Sequence, residues 1–393
     1  MSRSGRPRLL VIGPTPPPVH GTAVYTRMLL DSPILSEAFE VAHLDISDRR
    51  GLENVGRLDP TNVGLALRHL AALVGRLVRD RPDVVYVPVS QNALAYLRDG
   101  LFIALARAAG AAVVSHLHGG YFGTFYRSTP APVRAFVRAT SRLLDQAWVL
   151  GEGLRHHYEV VLPPDRVRVV PNGVPDPLRG EEAPVRDDGA GPMGVLFLGQ
   201  LSEAKGLHEV VEAVGRLRAD GIGVGLTLAG PWATEDQRRR TLELLERRGL
   251  ADSTRLPGVV TGQEKRRLLC EHDVFVLPTR YRFEGQPLAI LEAMAAALPV
   301  VSTRRGAIPD MVVDGLTGRL VPEEDPSALA AALAELARDP ALRRAMGRAG
   351  RVRWRELFTE ERCLRRFVSA LGDGGPEEGR RLGPTVPGAE GPP

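Results

Sequence analysis

The chain twice runs through an alternation of short, uninterrupted apolar segments and longer helical ones. That repetition restricts the fold more than any other feature of its 393 residues. In the first half, residues 9–13, 84–87, 112–115, 147–150 and 167–170 read as strands, with helical stretches at 22–30 and 101–109. A strand without polar interruptions is buried on both faces, as in a parallel sheet covered by helices. Residues 175–192 break the pattern with Pro, Gly, Glu, Asp and Arg, and the alternation restarts at 194. There 194–198, 225–229, 274–277 and 300–302 read as strands. Residues 206–217, 234–248, 264–271, 287–297 and 326–337 read as helices.

Two such runs predict an α/β protein of two doubly wound, Rossmann-like domains facing across a cleft. The expected boundaries are 1–174 for the first domain, 175–193 for a linker and 194–350 for the second. A helical segment at 351–371 is expected to pack back toward the first domain. Residues 372–393, rich in Gly, Pro and Glu, are expected to be disordered. Ligands of such sheets bind beyond the carboxyl ends of the strands, so the chemistry is sought in the loops that follow them.

Composition excludes several functions. The net charge is +4, and no nucleic-acid motif accompanies it. Cys270 and Cys363 are too few for a disulfide framework or a zinc site of their own, and fit a reducing compartment. No apolar run reaches the about 18 residues that a membrane span needs. The apolar run at 9–13 is too short for a signal peptide. The expected location is the cytoplasm, with peripheral contact at the inner membrane face left open. Of the 51 Lys and Arg residues only Lys205 and Lys265 are lysines. A compact ammonium kept amid so much arginine suggests a point-charge role for Lys205, such as a phosphate contact.

Four loops carry candidate residues. In 280–294, Glu284 and Glu292 are separated by seven residues, and Pro287 suits the start of a helix. Glu292 is the only polar residue between 287 and 301 and needs a partner. Two ligand hydroxyls or a buried arginine both satisfy that need. The free N–H groups of Leu288 and Ala289 at the helix start form an anion site. In 198–206, a strand ends at Gly199 and Lys205 precedes the next helix. In 116–120, His116 and His118 follow a strand at the cleft edge, with no third metal ligand at matching spacing. In 16–22, Gly21 sits where the first loop meets its helix and permits close ligand approach. That loop is not a GxGxxG fingerprint, so a nicotinamide site has little support.

These residues resemble retaining glycosyltransferases of the GT4 family, which have the GT-B fold. Glu284 to Glu292 is similar to that family's E-x7-E motif, and residues 293–301 (AMAAALPVV) to the segment after it. Residues 306–310, 314–318 and 169–174 and the pair His118-Gly119 extend the resemblance over roughly residues 9–370. It implies transfer of a sugar from a nucleoside diphosphate donor to an acceptor hydroxyl, with retention and with no metal or other cofactor. By the same resemblance Lys205 contacts the diphosphate and Glu292 the ribose. Glu284 and the backbone around Gly285, Gln286, Pro287 and Leu288 hold the donor sugar and phosphates. Gly21 faces the diphosphate from the other domain, and His118 lies near the transferred sugar. Two positions depart from the family pattern. Gln200 stands where an arginine is usual, and Arg280, Arg282 or Arg304 are the candidates to replace its charge. Ala297 replaces a common glycine, a change expected to be tolerated.

A nucleotide-sugar epimerase and a non-catalytic nucleotide-binding scaffold are the competing readings, the second motivated by Gln200. The acceptor stays open among glycan, lipid-linked and natural-product aglycone. Arg134, Arg138 and Arg142, four residues apart, share one helix face. They read either as a solvated face or as contacts to a membrane surface or lipid diphosphate.

Overall fold

Six strands line up in each half of the chain, and the computed structural model describes residues 5–18, 20–49, 59–181 and 191–372. Residues 182–190 of the expected linker and 373–393 of the expected tail lie outside the described residues. The first sheet contains β1 (Arg8–Gly13), β2 (Glu40–Asp45), β3 (Val84–Pro88), β4 (Ala112–Leu117), β5 (Gln146–Val149) and β6 (Val167–Val169). The second contains β7 (Met193–Leu198), β8 (Val224–Ala229), β9 (Thr254–Gly258), β10 (Val274–Leu277), β11 (Val300–Thr303) and β12 (Gly318–Val321). Their orders are β2-β1-β3-β4-β5-β6 and β12-β11-β10-β7-β8-β9, with parallel pairing throughout. Both are doubly wound, so the order reverses beside β1 in one sheet and beside β7 in the other. The reversal opens a crevice at the carboxyl ends of the strands.

Side chains alternate across the first sheet. Leu10, Ile12, Val85 and Val87 share a core with helices Pro60–Asp80, Ala93–Ala108 and Ala131–Ser141. Leu9, Val11, Tyr86 and Trp148 pack on the other face with helix Gly21–Leu30 and the last helix, Glu360–Gly372. All of these strand residues are fully buried, which is why residues 9–12 of β1 and 85–87 of β3 carry no charged residue.

The reading missed β2, β9 and β12. All three are edge strands or lie next to exposed loops, and they carry Glu40 and His43, Arg255 and Pro257, and Arg319 respectively. An edge strand keeps one side toward water and loses the uninterrupted apolar signature. Helix Pro60–Asp80 was also missed. The helix expected at 101–109 begins at Ala93, where the Asn92 carboxamide accepts from the Ala95 N–H at 3.0 Å.

The C-terminal boundary moves. Residues 351–357 belong to a helix of the second domain, Pro340–Leu357, anchored by two buried arginines. Arg351 grips Asp176 through both carboxylate oxygens at 3.0 Å and also bonds the Ala295 carbonyl. Arg353 donates to the carbonyls of Asp310 and Met311. The chain crosses at Phe358 and Thr359, where the Val174 N–H donates to the Phe358 carbonyl and the Val174 carbonyl accepts from the Glu360 N–H. Helix Glu360–Gly372 then lies on the first sheet, with the Phe367 ring 5.1 Å from Tyr86 and 5.2 Å from Trp148. The Asp176–Arg351 clamp also shows that residues 175–181 are pinned rather than a free linker. Neither Cys270 nor Cys363 is in a disulfide. Among the described residues no helix is long and apolar enough to cross a membrane.

Candidate active site

β7 ends at Leu198, just before Gly199, and a single 3-10 turn, Glu203–Lys205, leads into helix Leu207–Ala219 through Gly206 in a left-handed conformation (φ 80°). That turn aims Lys205 across the end of β10. Its Nζ lies 2.7 Å from Glu284 Oε2, and the Thr279 hydroxyl donates to the same oxygen at 2.8 Å. The ammonium also sits 4.7 Å over the Tyr281 ring. The two charged side chains are only 18% and 7% exposed, so the pair is nearly withdrawn from water.

The helix after the motif runs from Leu288 to Ala295, with Pro287 as its N-cap rather than its first residue. Its first N–H groups open toward the cleft end of β10, one side of the anion site that the sequence suggests. Glu292 meets a partner that the sequence reading did not pair with it. Lys265, on helix Gly262–Glu271, places Nζ 2.6 Å from Glu292 Oε1. The expected alternative of a buried arginine is therefore corrected to a lysine. The chain's only two lysines hold the two glutamates of one motif, a pattern that lysine scarcity alone could have flagged.

Gln286 is committed elsewhere. Its side-chain oxygen accepts from the Asn172 backbone N–H at 2.6 Å, and the residue is 5% exposed. This ties the motif to the segment joining the domains, while the side-chain nitrogen of Gln286 is buried without a hydrogen-bond partner among the described residues. Ala297 has φ 56°, a conformation that costs an L-residue about 1–2 kcal/mol and that glycine adopts freely. The substitution therefore carries strain, contrary to the expectation that it is neutral.

The first domain meets this loop directly. The Gly120 N–H donates to the Phe283 carbonyl at 3.3 Å, and a Cβ on Gly285 would collide with the His118 carbonyl. Gly21 is the first residue of its helix, and a Cβ there would meet no protein atom within 4 Å. The fold itself does not demand a glycine at that position, which leaves room for a ligand.

His118 stands in a defined protonation state. Burial and the neighbouring His20 push it down to about 3, and burial holds His116 well below its usual value, so both rings are neutral. His116 Nε2 lies 3.0 Å from the Val170 carbonyl and must donate to it. Its Nδ1, 3.0 Å from the Tyr86 hydroxyl, therefore accepts. The Tyr86 oxygen, 3.1 Å away, in turn accepts from His118 Nε2. His118 keeps its Nδ1 lone pair for a ligand hydroxyl and is too weak a base to hold a proton at neutral pH.

Gln200 is exposed at the end of β7. Of its candidate substitutes, Arg280 is paired with Glu209 and, at 3.1 Å, with Glu324, and Arg304 with Asp314 at 3.0 Å. Arg282 stacks between the rings of Tyr121 and Phe283, 4.8 and 4.7 Å from their centres, with no carboxylate partner among the described residues. It is the candidate with an uncommitted charge. The cleft otherwise holds two neutral pairs, Lys205–Glu284 and Lys265–Glu292. Among the described residues no group of three or more His, Cys, Asp or Glu side chains is placed to hold a metal ion.

Residues 192–339 match the family described as glycosyl transferases group 1. The second domain is a group 1 glycosyltransferase domain. The chain is 39% identical to WcaL of Salmonella typhimurium over 182 residues, 45% of this chain and 43% of that one. It is 35% identical to the amylovoran biosynthesis glycosyltransferase AmsK of Erwinia amylovora over 38% of this chain and 37% of the relative. A glycogen synthase of Mycobacterium tuberculosis is 30% identical over 70% of this chain and 64% of its own length. The chain thus spans less than half the length of the first two of these curated relatives. Two structures share the complete two-domain GT-B fold. Sucrose-phosphate synthase of Thermosynechococcus elongatus gives a TM-score of 0.70 at 19% identity, covering 93% of this chain and 98% of that one. Anabaena HepE in complex with UDP and glucose gives 0.67 at 15%, covering 93% and 100%.

Proposed function

We propose that this chain transfers a hexosyl unit from a nucleoside diphosphate sugar to an acceptor hydroxyl, with retention at the anomeric carbon and without a metal ion. The observation that carries the reading is the Lys205–Glu284 pair on a loop that packs, at Gly285, against the His118 backbone across the interdomain cleft, next to an open helix N-terminus. The leaving diphosphate gains charge as the glycosidic bond breaks. Lys205 and the N–H groups at the start of helix Leu288–Ala295 are suited to stabilise it. Glu292, held by Lys265, offers acceptors to the ribose hydroxyls. His118 Nδ1 accepts from a sugar hydroxyl, and Glu284 turns from Lys205 to the sugar once the diphosphate takes the lysine. His118 is too weak a base to remove the acceptor proton, so that proton passes to an oxygen of the departing diphosphate.

Related proteins support transfer rather than epimerisation. HepE binds UDP and UDP-glucose, which favours a sugar nucleotide as donor. WcaL is named for colanic acid biosynthesis and AmsK for amylovoran biosynthesis, which favours a growing polysaccharide or its lipid-linked precursor as acceptor. One observation favours a second reading, a scaffold that binds without turnover: the exposed Gln200 adds no charge to a site whose lysines are already paired.

Incubation of the full chain with UDP-, GDP-, dTDP- and ADP-sugars, followed by mass spectrometry, separates the two. Transfer or slow hydrolysis of one donor class, lost in Glu284→Ala while nucleotide binding survives, is the expected result. Binding of a donor with no turnover, with or without polysaccharide acceptors, overturns the catalytic reading.

A further inference from the structure

Three neighbouring helices cover one face of the first sheet, and their outer surface is unlike the rest of the molecule. Helices Pro60–Asp80, Ala93–Ala108 and Ala131–Ser141 have 21, 16 and 11 residues. In the first, Val63, Leu67, Val74 and Val78 are exposed, up to 69% for Val78. At 100° per residue they fall within an arc of about 60°, a continuous apolar stripe rather than scattered residues. In the second, Leu97 and Leu101 are also open to solvent, at 36% and 41%. Large aliphatic side chains lined up this way have no use in a face that meets only water.

Apart from two committed aspartates, the charges on these helices are positive. Their sequences contain seven arginines and two acidic residues, Asp80 and Asp99. Asp99 is fully buried, and Asp80 closes the end of its helix in ion pairs with Arg76 and Arg79. Arg68, Arg134 and Arg138 are exposed and have no carboxylate partner among the described residues. An apolar stripe flanked by arginines and lacking free carboxylates complements a surface that is both apolar and anionic. A second copy of the chain is the wrong partner, because a two-fold contact would press like-charged arginine faces together.

We propose that this helical face docks the protein on an anionic lipid bilayer. Helix Ala93–Ala108, the middle one, starts just after the carboxyl end of β3, so its first turn lies at the rim of the cleft and docking brings that rim to the membrane surface. The proposal stands apart from the transfer reaction, since it is tested without donor or acceptor.

The test is co-sedimentation of the full chain with vesicles of phosphatidylglycerol and phosphatidylcholine, and with vesicles of phosphatidylcholine alone, at low and high salt. Sedimentation velocity without lipid runs beside it. The chain is expected to bind the anionic vesicles and lose most of that binding in high salt. Leu67→Glu and Val78→Glu, at exposed positions, each weaken binding by about tenfold or more. Arg68→Ser with Arg134→Ser weakens it at low salt only. No binding of the native chain to anionic vesicles overturns the proposal, and so does equal binding to both vesicle types. A lipid-free dimer that Leu67→Glu dissociates, with no vesicle binding, overturns it too and assigns the face to self-association.

Discussion

Replacing Glu284 by glutamine has opposite effects on binding and turnover if the site works as its geometry suggests. In the free protein Lys205 is held by Glu284 at 2.7 Å, between side chains that are 18% and 7% exposed. A diphosphate must compete with that carboxylate for the ammonium. A hydrogen bond to a charged partner contributes roughly 1.5–3 kcal/mol, and one to a neutral amide about 0.5–1.5 kcal/mol. Glu284→Gln therefore releases Lys205 at a saving of about 1 kcal/mol, close to fivefold in affinity. The shape of the side chain and the Thr279 contact are retained, so the fold is not at risk. Isothermal titration is done with whichever of UDP, GDP, dTDP and ADP stabilises the native chain most in a thermal-shift screen. The diphosphate is expected to bind the variant about fivefold more tightly, while donor turnover falls by about 100-fold or more. A diphosphate that binds the variant more weakly refutes the argument. It means that Glu284 supports the lysine's grip on phosphate rather than competing for it.

Three other outcomes follow from the geometry. Glu292→Ala is expected to weaken nucleoside diphosphate binding by about tenfold or more, and to leave a 2′,3′-dideoxy analogue unaffected. Lys265→Met gives a smaller loss that disappears in the Glu292→Ala background, since the two side chains are 2.6 Å apart. Equal losses for the two nucleotides in calorimetry sink the ribose assignment. Ala297→Gly relieves about 1–2 kcal/mol of left-handed strain against an unfolded-state cost of about 0.4–1 kcal/mol. Denaturant titration should show a gain near 0.5–1 kcal/mol, and a loss contradicts the strain argument. His69 is buried with both ring nitrogens unpartnered, and burial, with Arg98 and Arg68 nearby, pushes it down to about 4. The unfolded chain takes up that proton below about pH 6.5 and the folded one only near 4. Stability is therefore lost as pH falls, by about 2 kcal/mol at pH 5 from this residue. His69→Leu, which breaks no hydrogen bond, should remove that share from the pH profile of unfolding. An unchanged acid limb counts against it.

Much of the architecture was written in the local pattern. Inner strands such as β1, β7 and β10 are sealed on both faces, so burial forces an unbroken apolar run, and their number and spacing specify two doubly wound sheets. The E-x7-E spacing and the scarcity of lysine single out residues that the fold brings into contact, because each depends on residue type and not on partners. The sheet edges were not legible, since β2, β9 and β12 keep one side in water and their polar residues resemble loops.

Partnership was decided only by the tertiary structure. Lys265 and Glu292 lie 27 positions apart and Lys205 and Glu284 79 apart, and no local rule pairs them. The tautomer of His118 depends on a relay through Tyr86 and His116 to Val170, which exists only once β3, β4 and the end of β6 are gathered into one sheet. The left-handed turn at Ala297 follows from how the helix must end to re-enter β11, which sequence type does not announce. Residue types along the chain set which segments must be buried and which chemistry is present. The packing of distant segments sets which charges meet, and therefore what the cleft can bind.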